Sequence, residues 1–342
     1  MDKVILIKHH LLKNLRKVVA KEIKARFSKG EVIAIKTHMG EYGNLNYIRP
    51  PIVELVVDEL KKIGAKPFVF DTPVAYSGER DTVEKYIETA RKNGFTEESM
   101  GCSIVISNEG VEVKSKWLSK LKVARKLYEA DGLVVLSHFK GHELSNFGGA
   151  IKNLGMGGVT KESKSVMHTE TQPQVHPEVI GECKGCGTCV SVCYEKAISL
   201  KNGKVHIDYD KCFGCCACVD ACPNKVLSMK TVRFSRALAE SASFIVKKLG
   251  KKSLYISVLL DITDTCDCYP IGSSDIGKKV SPDIGILISD NIIAIEKASL
   301  DLVQKSTNNE FGKIFKSKLD EQLLAATDFG LGKGNYELEV LD

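Results

Sequence analysis

Short, unbroken apolar runs alternate with segments of helical periodicity along most of the chain. Apolar runs without alternation indicate strands that are buried on both faces, and intervening helices indicate parallel connections. The sequence therefore predicts an α/β fold with a mainly parallel sheet and helices on both faces. The predicted strands cover residues 4–7, 32–35, 68–70, 103–106, 111–113, 133–136, 254–260 and 284–288, and the predicted helices cover residues 11–27, 49–64, 82–93, 117–130, 234–249, 292–305 and 311–326.

Polar side chains follow most of these predicted strands directly. In open parallel sheets, ligands bind in the crevice outside the carboxyl ends of the strands, so this pattern predicts a ligand site at that edge. The alternative is that strands commonly end in polar loops, whatever the function. The residues concerned are Lys36, His38, Asp71, Ser137, His138, Lys140, His142, Asp261, Asp264, Cys266, Cys268, Ser289, Asp290 and Asn291.

Two runs of four cysteines with one shared spacing interrupt the strand–helix pattern. The first run is Cys183, Cys186, Cys189 and Cys193, and the second is Cys212, Cys215, Cys218 and Cys222. This duplicated spacing is typical of bacterial ferredoxins, in which three cysteines of one run and the last of the other hold each 4Fe–4S cluster. It predicts one cluster held by Cys183, Cys186, Cys189 and Cys222, and a second held by Cys212, Cys215, Cys218 and Cys193.

Two other kinds of cysteine site fit the sequence less well. Disulfides require an exported protein, and the residues after Met1 show no signal peptide. Zinc ribbons use two CxxC pairs and not two runs that end in CxxxC. Twelve cysteines without an export signal therefore predict a cytoplasmic protein, in which Cys216, beside a predicted ligand, is a spectator thiol.

The cysteine-rich stretch, residues 173–231, is predicted to be an inserted α+β domain of the ferredoxin type. The strand–helix pattern covers residues 1–172 and resumes over residues 232–342. These two flanking stretches are predicted to form one discontinuous α/β domain. The alternative is a separate C-terminal domain, because a tail of about 110 residues is long enough to fold alone.

Two further groups of residues are candidates for ligand binding or redox chemistry. His138 and His142 precede a glycine-rich stretch, residues 146–158, that contains Lys152. Its amides can close around an anion while Lys152 supplies charge, or the glycines can form a hinge without a ligand. In an extended Cys266-Asp267-Cys268 segment both thiols face the same side of the backbone. They can then bind a further metal ion together with the imidazoles of His138 and His142, or form a redox pair. Two buried structural cysteines are the alternative.

Composition and charge argue against two classes of protein, those that bind nucleic acids and those that span a membrane. The chain has 342 residues, of which 43% are hydrophobic and 27% charged, with a net charge of +6. The basic residues are dispersed, which argues against a nucleic-acid partner. The apolar runs are far shorter than the roughly 20 residues that span a bilayer, so no membrane span is predicted.

Residues 138–142, the glycine-rich residues 148–155 and the Cys266-Asp267-Cys268 segment resemble the uncharacterised prokaryotic iron–sulfur proteins of the domain-of-unknown-function 362 family. The resemblance covers nearly the whole chain. It implies an inserted dicluster ferredoxin and a redox role, and it supplies no substrate.

Three functional hypotheses remain open from the sequence. In the first, two 4Fe–4S clusters pass electrons from a ferredoxin-like protein to a crevice where an anionic small molecule or a metal centre is reduced. The second is a non-catalytic electron carrier that docks on another redox enzyme. The third is an isomerase or lyase with structural or sensing clusters, in which Lys36, His38 and Asp71 do acid–base work. For the first hypothesis the predicted catalytic residues are Cys266, Cys268, His138, His142 and Lys152.

Overall fold

The computed structural model describes most of the chain. Residues Cys215 and Cys216 lie outside the described residues, as do the predicted domain boundaries at residues 172–173 and 231–232. Within the helix at residues 217–221, the side chains of Ala217 and Asp220 are also outside the description. The described ranges are residues 1–171, 175–193, 195–212, 217–228, 233–268, 277–315 and 319–341.

The described residues form short strands and helices in alternating order. The strands are β1 (Asp2–Lys8), β2 (Val32–Lys36), β3 (Lys66–Asp71), β4 (Ser103–Ile106), β5 (Gly110–Glu112), β6 (Lys122–Ala124), β7 (Gly132–His138), β8 (Lys140–His142), β9 (Asn146–Gly148), β10 (Glu178–Val179), β11 (Ile198–Lys201), β12 (Lys204–Ile207), β13 (Leu227–Ser228), β14 (Ser253–Leu259), β15 (Gly285–Ser289) and β16 (Tyr336–Leu341). The helices are α1 (Leu15–Arg26), α2 (Pro50–Lys62), α3 (Val83–Lys92), α4 (Glu97–Met100), α5 (Arg125–Tyr128), α6 (Ala150–Gly155), α7 (Lys161–Glu170), α8 (Thr188–Ser191), α9 (Ala217–Ala221), α10 (Phe234–Leu249), α11 (Ile292–Ser306), α12 (Glu310–Lys313) and α13 (Glu321–Asp328), with a 3₁₀ helix over His9–Asn14.

The central sheet is mainly parallel, as predicted. Its strands follow the order β16-β1-β15-β14-β7-β2-β3-β4. From β14 to β4 each neighbouring pair is parallel, and β16 is parallel to β1. The exception is β15, which is antiparallel to both β14 and β1.

Helices cover both faces of this sheet, which confirms the second part of the fold prediction. Successive residues of β7 pack into different apolar cores: Leu133 and Val135 belong to the core that contains α10 and α11, whereas Val134 and Leu136 belong to the core that contains α1 and α2. Because both faces of the strand are buried, its sequence is apolar without alternation.

The cysteine-rich segment forms small antiparallel pairs, β10 with β13 and β11 with β12. The sequence duplication recurs in its backbone. The Lys196 N–H donates to the Cys193 carbonyl at 3.2 Å, and the Lys225 N–H donates to the Cys222 carbonyl at 3.3 Å. Both lysines have left-handed backbones, with φ of 51° and 52°. Each half therefore turns in the same way after its last cysteine.

Several local predictions were wrong. Residues 117–130 are not one helix: β6 pairs with β5, and only the short α5 is helical. The helix predicted over residues 311–326 is replaced by the separate α12 and α13, and β16 was not predicted. Within the described ranges, every helix is too short or too polar to cross a membrane.

The residues that follow β15 lie at the end of the sheet opposite the crevice, because this strand runs antiparallel to its neighbours. The Ser289 hydroxyl donates to the Lys3 carbonyl at 2.7 Å, and the Asn291 amide donates to the Asp2 carboxylate at 3.0 Å. The expectation that Ser289, Asp290 and Asn291 join the strand-end site was therefore wrong.

Candidate functional site

A crevice of about 1300 Å³ opens at the carboxyl ends of β2, β3 and β7 and in the loop after β14. Its volume is ample for a small organic ligand. Most of the polar residues that follow these strands in the sequence converge on it, as expected for a parallel sheet. Those in its wall are Lys36, His38, Asp71, Ser137, His138, Lys140, His142, Cys266 and Cys268.

The two thiols of the Cys266-Asp267-Cys268 segment lie 3.0 Å apart in this crevice. Cys266 is buried and Cys268 is half-buried. The Cys266 thiol donates to Cys268 Sγ, and this hydrogen bond lowers the pKa of Cys268 well below its usual value while it raises the pKa of Cys266. This hydrogen bond therefore favours Cys268 over Cys266 as the thiolate.

Each sulfur also has a nitrogen neighbour. His38 Nε2 lies 3.5 Å from Cys268 Sγ, and Lys152 Nζ lies 3.6 Å from Cys266 Sγ. A cationic group such as Lys152 at this distance favours a thiolate, which is the reactive form of cysteine. The sequence placed His38 both in the predicted strand-end site and in the acid–base hypothesis, and the structure brings it close to Cys268.

Asp267, between the two cysteines, fixes the segment to the sheet. Its carboxylate lies 2.9 Å from both His138 Nδ1 and Lys140 Nζ. Burial alone would raise the pKa of Asp267, but the charges of His138 and Lys140 lower it below its usual range. His138 Nε2 also donates to the Leu260 carbonyl at 2.9 Å. Both ring nitrogens of His138 are thus engaged, which gives this residue a positioning role.

A buried arginine, Arg80, orients His38. Arg80 Nη1 lies 2.6 Å from His38 Nε2, and Arg80 Nε donates to the Glu41 carboxylate at 2.9 Å. The remaining guanidinium nitrogen donates to the Tyr76 hydroxyl at 2.5 Å. The Gly40 N–H donates to His38 Nδ1 at 3.1 Å, so the imidazole is held from both sides.

Two further lysines line the floor of the crevice. Lys36 Nζ lies 3.0 Å from the Asp71 carboxylate and donates to Asn153 Oδ1 at 2.6 Å. Burial lowers the pKa of Lys36 although Asp71 opposes the shift. Lys164 donates to the carbonyls of Thr72 and Pro73, and its burial lowers the pKa of Lys164 to about 7. Lys164 can therefore exchange a proton near neutral pH.

The glycine-rich stretch does not form an open anion loop. It folds into β9 and α6, and the Ile151 N–H donates to the buried Glu296 carboxylate at 3.1 Å. A Cβ on Gly149 would lie 2.3 Å from Glu296 Oε1, and a Cβ on Gly155 would lie 2.2 Å from the Leu238 carbonyl oxygen. These glycines permit close packing of α6, while Lys152 supplies charge to the crevice wall.

Described residues on either side of the cysteine-rich segment line the crevice. His168, near the end of α7, and Phe234, at the start of α10, have ring centroids 5.2 Å apart, and both line the crevice. The His142 ring stacks on Phe234 at 6.1 Å. Burial, with the charge of Lys152, lowers the pKa of His142 well below its usual value. His142 therefore belongs to the wall of the crevice, where its Nδ1 lies 2.9 Å from the Ser145 hydroxyl.

Four of the predicted cluster cysteines surround one small cavity: Cys183, Cys186, Cys189 and Cys222. The Gly185 N–H donates to Cys183 Sγ at 3.4 Å, as amides do around metal-bound sulfur. Gly185 and Gly187 have φ of 70° and 76°, and a Cβ on Gly185 would lie 2.6 Å from the Gly203 carbonyl oxygen. Four thiols from two loops around one space fit the donor set of a 4Fe–4S cluster.

The second predicted set is described in part. Cys193, Cys212 and Cys218 belong to the same apolar cluster as Cys183, Cys189 and Cys222, and Cys215 lies outside the described residues. The Ala197 N–H donates to Cys193 Sγ at 3.2 Å. Among the described side chains, no three His, Cys, Asp or Glu residues are grouped to hold a single metal ion. A cubane cluster differs from such an ion because its four thiolates bind four different irons.

Three charged residues of the site escaped the sequence predictions: Glu41, Arg80 and Lys164. Glu41 and Arg80 lie in long loops after β2 and β3, and Lys164 lies on a helix with many other lysines and polar residues nearby in the sequence. The signal that distinguishes them is burial, since all three are almost inaccessible to solvent. Burial of a charged side chain becomes apparent only when its partners are known.

A family model described as "Domain of unknown function (DUF362)" matches residues 33–301 of the chain. No curated protein matches. Among solved structures, the chain is similar to a protein from Thermotoga maritima, with 10% identity, a TM-score of 0.42 and coverage of 86% of this chain and 58% of the other. It is also similar to the lactate racemase apoprotein from Thermoanaerobacterium thermosaccharolyticum, with 10% identity, a TM-score of 0.35 and coverage of 76% and 51%. The chain thus spans little more than half the length of these two proteins.

Proposed function

The chain belongs to the DUF362 family, and from this premise we propose that it is an iron–sulfur oxidoreductase that transfers electrons to a redox site in its crevice. Cys183, Cys186, Cys189 and Cys222 would hold one 4Fe–4S cluster, and Cys212, Cys215, Cys218 and Cys193 the other. When bound, such clusters supply one-electron transfer. The donor is a protein of the ferredoxin class, and the acceptor in the crevice is an anionic small molecule or a metal centre.

The observation that carries this proposal is the convergence of Cys183, Cys186, Cys189 and Cys222 on one cavity. These cysteines come from both halves of a duplicated segment, in the combination that the ferredoxin spacing requires. The turns after Cys193 and Cys222 are alike, which supports a second, equivalent set. The proposed inserted domain, residues 173–231, is the unit that would carry both.

The direction of transfer is supported by where the segment joins the rest of the chain. His168 and Phe234 flank its two ends and both line the crevice. The crevice itself holds the close thiol pair, Cys266 and Cys268, with a hydrogen-bonded imidazole and a lysine beside it. A carrier that only docks on another enzyme has no need of such a pocket.

The acid–base alternative is less well supported. Lys36 and Asp71 are paired with each other, and Lys36 also donates to Asn153. His38, the third member of that set, points a nitrogen toward Cys268. The contacts of these residues therefore favour a site organised around the thiols.

Metal and sulfide analysis of anaerobically purified protein tests the proposal. We expect about eight irons and about eight acid-labile sulfides per chain, with an electron paramagnetic resonance signal after reduction. A Cys189→Ser variant should lose about half of the iron. Cys102→Ser is the matched control, because Cys102 is half-buried in the α/β domain, next to β4, and should retain all of it. About four irons in the parent protein would contradict the two-cluster assignment.

A further inference from the structure

The Cys266 and Cys268 pair has the geometry of a thiol–disulfide exchange centre. We infer that this dithiol reduces a small-molecule disulfide that carries a carboxylate or a similar acidic group. The inference rests on the proposed function, because it names the chemistry and the substrate class of the same redox site. Cys268 is the attacking thiol and Cys266 the resolving thiol.

The first support is the distance between the two sulfurs. They lie 3.0 Å apart without a covalent bond, so a disulfide can form with little movement of the backbone. Asp267, the one residue between them, is bound by His138 and Lys140. These contacts hold the segment in place when the sulfurs change from thiols to a disulfide and back.

The second support is the difference in access. Cys268 is half-buried and lines the crevice, whereas Cys266 is buried at 8% exposure. A ligand in the crevice therefore reaches Cys268 more easily, and the sulfur of Cys266 is within reach of Cys268. The hydrogen bond from Cys266 and the positive charge of Arg80 lower the pKa of Cys268, which favours its thiolate form, as in other reactive cysteines.

The acidic group of the substrate is inferred from the charges of the wall. The buried carboxylates Glu41, Asp71 and Asp267 have cationic partners. Lys152, in contrast, has no carboxylate partner within the part of the chain that the structure describes, and its ammonium donates to Cys266 Sγ at 3.6 Å. A half-buried ammonium beside the reacting sulfurs is suited to bind an anionic group of the incoming molecule.

Reduction of the substrate disulfide consumes only the two thiols of the pair. The Cys268 thiolate attacks one sulfur of the substrate R–S–S–R′, forms a mixed disulfide and releases R′S⁻. Cys266 then gives up its proton and attacks the Cys268 sulfur, which forms the Cys266–Cys268 disulfide and releases RS⁻. Protons from Cys266 and from solvent complete both product thiols. Two electrons from a donor of the ferredoxin class, taken one at a time, and two protons restore the dithiol.

Stopped-flow mixing of the anaerobic full-length protein with two disulfide probes tests this inference. Dithiobis(nitrobenzoate) carries two carboxylates, and dithiodipyridine is uncharged. The parent should release two equivalents of product thiol per dithiol and lose the mass of two hydrogens. Cys266→Ser should release one equivalent and keep the other half of the probe as a mixed disulfide on Cys268. Lys152→Gln should lower the rate ratio of the carboxylated to the uncharged probe by about tenfold.

Controls separate this inference from the iron–sulfur proposal. Iron is measured on every sample, and peptide mass spectrometry locates the new disulfide. A protein without iron that still forms the Cys266–Cys268 disulfide would support the dithiol and contradict the cluster assignment. Cys102→Ser reports release from a cysteine outside the crevice and should match the parent. Equal single release from Cys266→Ser and Cys268→Ser would overturn the assigned roles. One tightly bound zinc ion that both variants abolish would overturn the dithiol itself.

Discussion

The Asp267 carboxylate and the Lys140 ammonium form an ion pair at 2.9 Å, with both side chains almost fully buried. This pair ties the residue between the two thiols to β8. Removing one partner of a buried pair leaves an uncompensated charge, whereas an exposed pair contributes little. The pair should therefore matter much more for stability than a surface pair of similar geometry.

Asp267→Asn should lower the free energy of unfolding by about 3–5 kcal/mol, because Lys140 and His138 lose their negative partner. Anaerobic denaturant titration followed by circular dichroism measures the change. Glu310→Gln is the control, since the Glu310–Lys313 pair is about two-thirds exposed, and it should change stability by less than about 0.5 kcal/mol. Equal effects of the two substitutions would show that the buried pair contributes no more to the free energy of unfolding than the exposed pair.

Glu296 should make stability depend on pH in an unusual direction. Its burial raises the pKa of this carboxyl to about 7, so the folded protein favours the protonated form. This contribution is complete below the unfolded pKa, near 4.5, and is lost as the pH rises through about 7.

The Glu296→Gln substitution isolates this effect. Relative to the parent, the variant should gain about 3 kcal/mol of unfolding free energy between pH 4.5 and pH 8, because glutamine has no charge to bury. Glu310→Gln, at an exposed carboxyl, serves as the control over the same range. A difference between parent and Glu296→Gln that stays constant with pH would contradict the prediction.

Gly155→Ala should destabilise the protein although alanine is the better helix former. A Cβ at this position would lie 2.2 Å from the Leu238 carbonyl oxygen of α10, and backbone atoms cannot rotate away. We expect a loss of about 1–3 kcal/mol from overpacking. Gly334→Ala is the control, because its nearest neighbour is the flexible Lys297 side chain at 3.8 Å. A gain in melting temperature for Gly155→Ala would show that α6 and α10 are less closely packed.

The α/β domain should fold without the cysteine-rich segment. Replacing residues 172–232 with a short Gly-Ser linker should keep one cooperative unfolding transition, because the rings of His168 and Phe234 are only 5.2 Å apart and a short loop can close the gap. Circular dichroism and the reactivity of Cys268 report the sheet and the crevice. A shortened chain that aggregates would favour interdependent folding of the two parts.

The sequence was most informative where local periodicity and burial agree. Helix α10 has the predicted bounds of residues 234–249, because its apolar residues recur at helical spacing and an arginine and a glycine flank it. Strand β7 was recognised because both of its faces are buried. The convergence of Lys36, Asp71, His138 and Cys268 on one edge followed from the parallel direction of their strands.

Long-range pairing accounts for the errors. Residues 117–130 contain leucines at helical spacing, but residues 122–124 pair with β5 and only four residues remain helical. Nothing in the apolar run of β15 reveals that it is antiparallel to its neighbours. In contrast, β16 alternates between more and less exposed residues, and this period of two was a usable signal of an edge strand.

The first strand of the chain has both of its partners in the last sixty residues. Strand β1 lies between β15 and β16, so it acquires neighbours only after residues 285–341 have been synthesised. The cysteine-rich segment is complete much earlier. During translation, therefore, the whole segment emerges from the ribosome while half of the sheet is still open, so the iron uptake that we propose for its thiols can precede completion of the sheet.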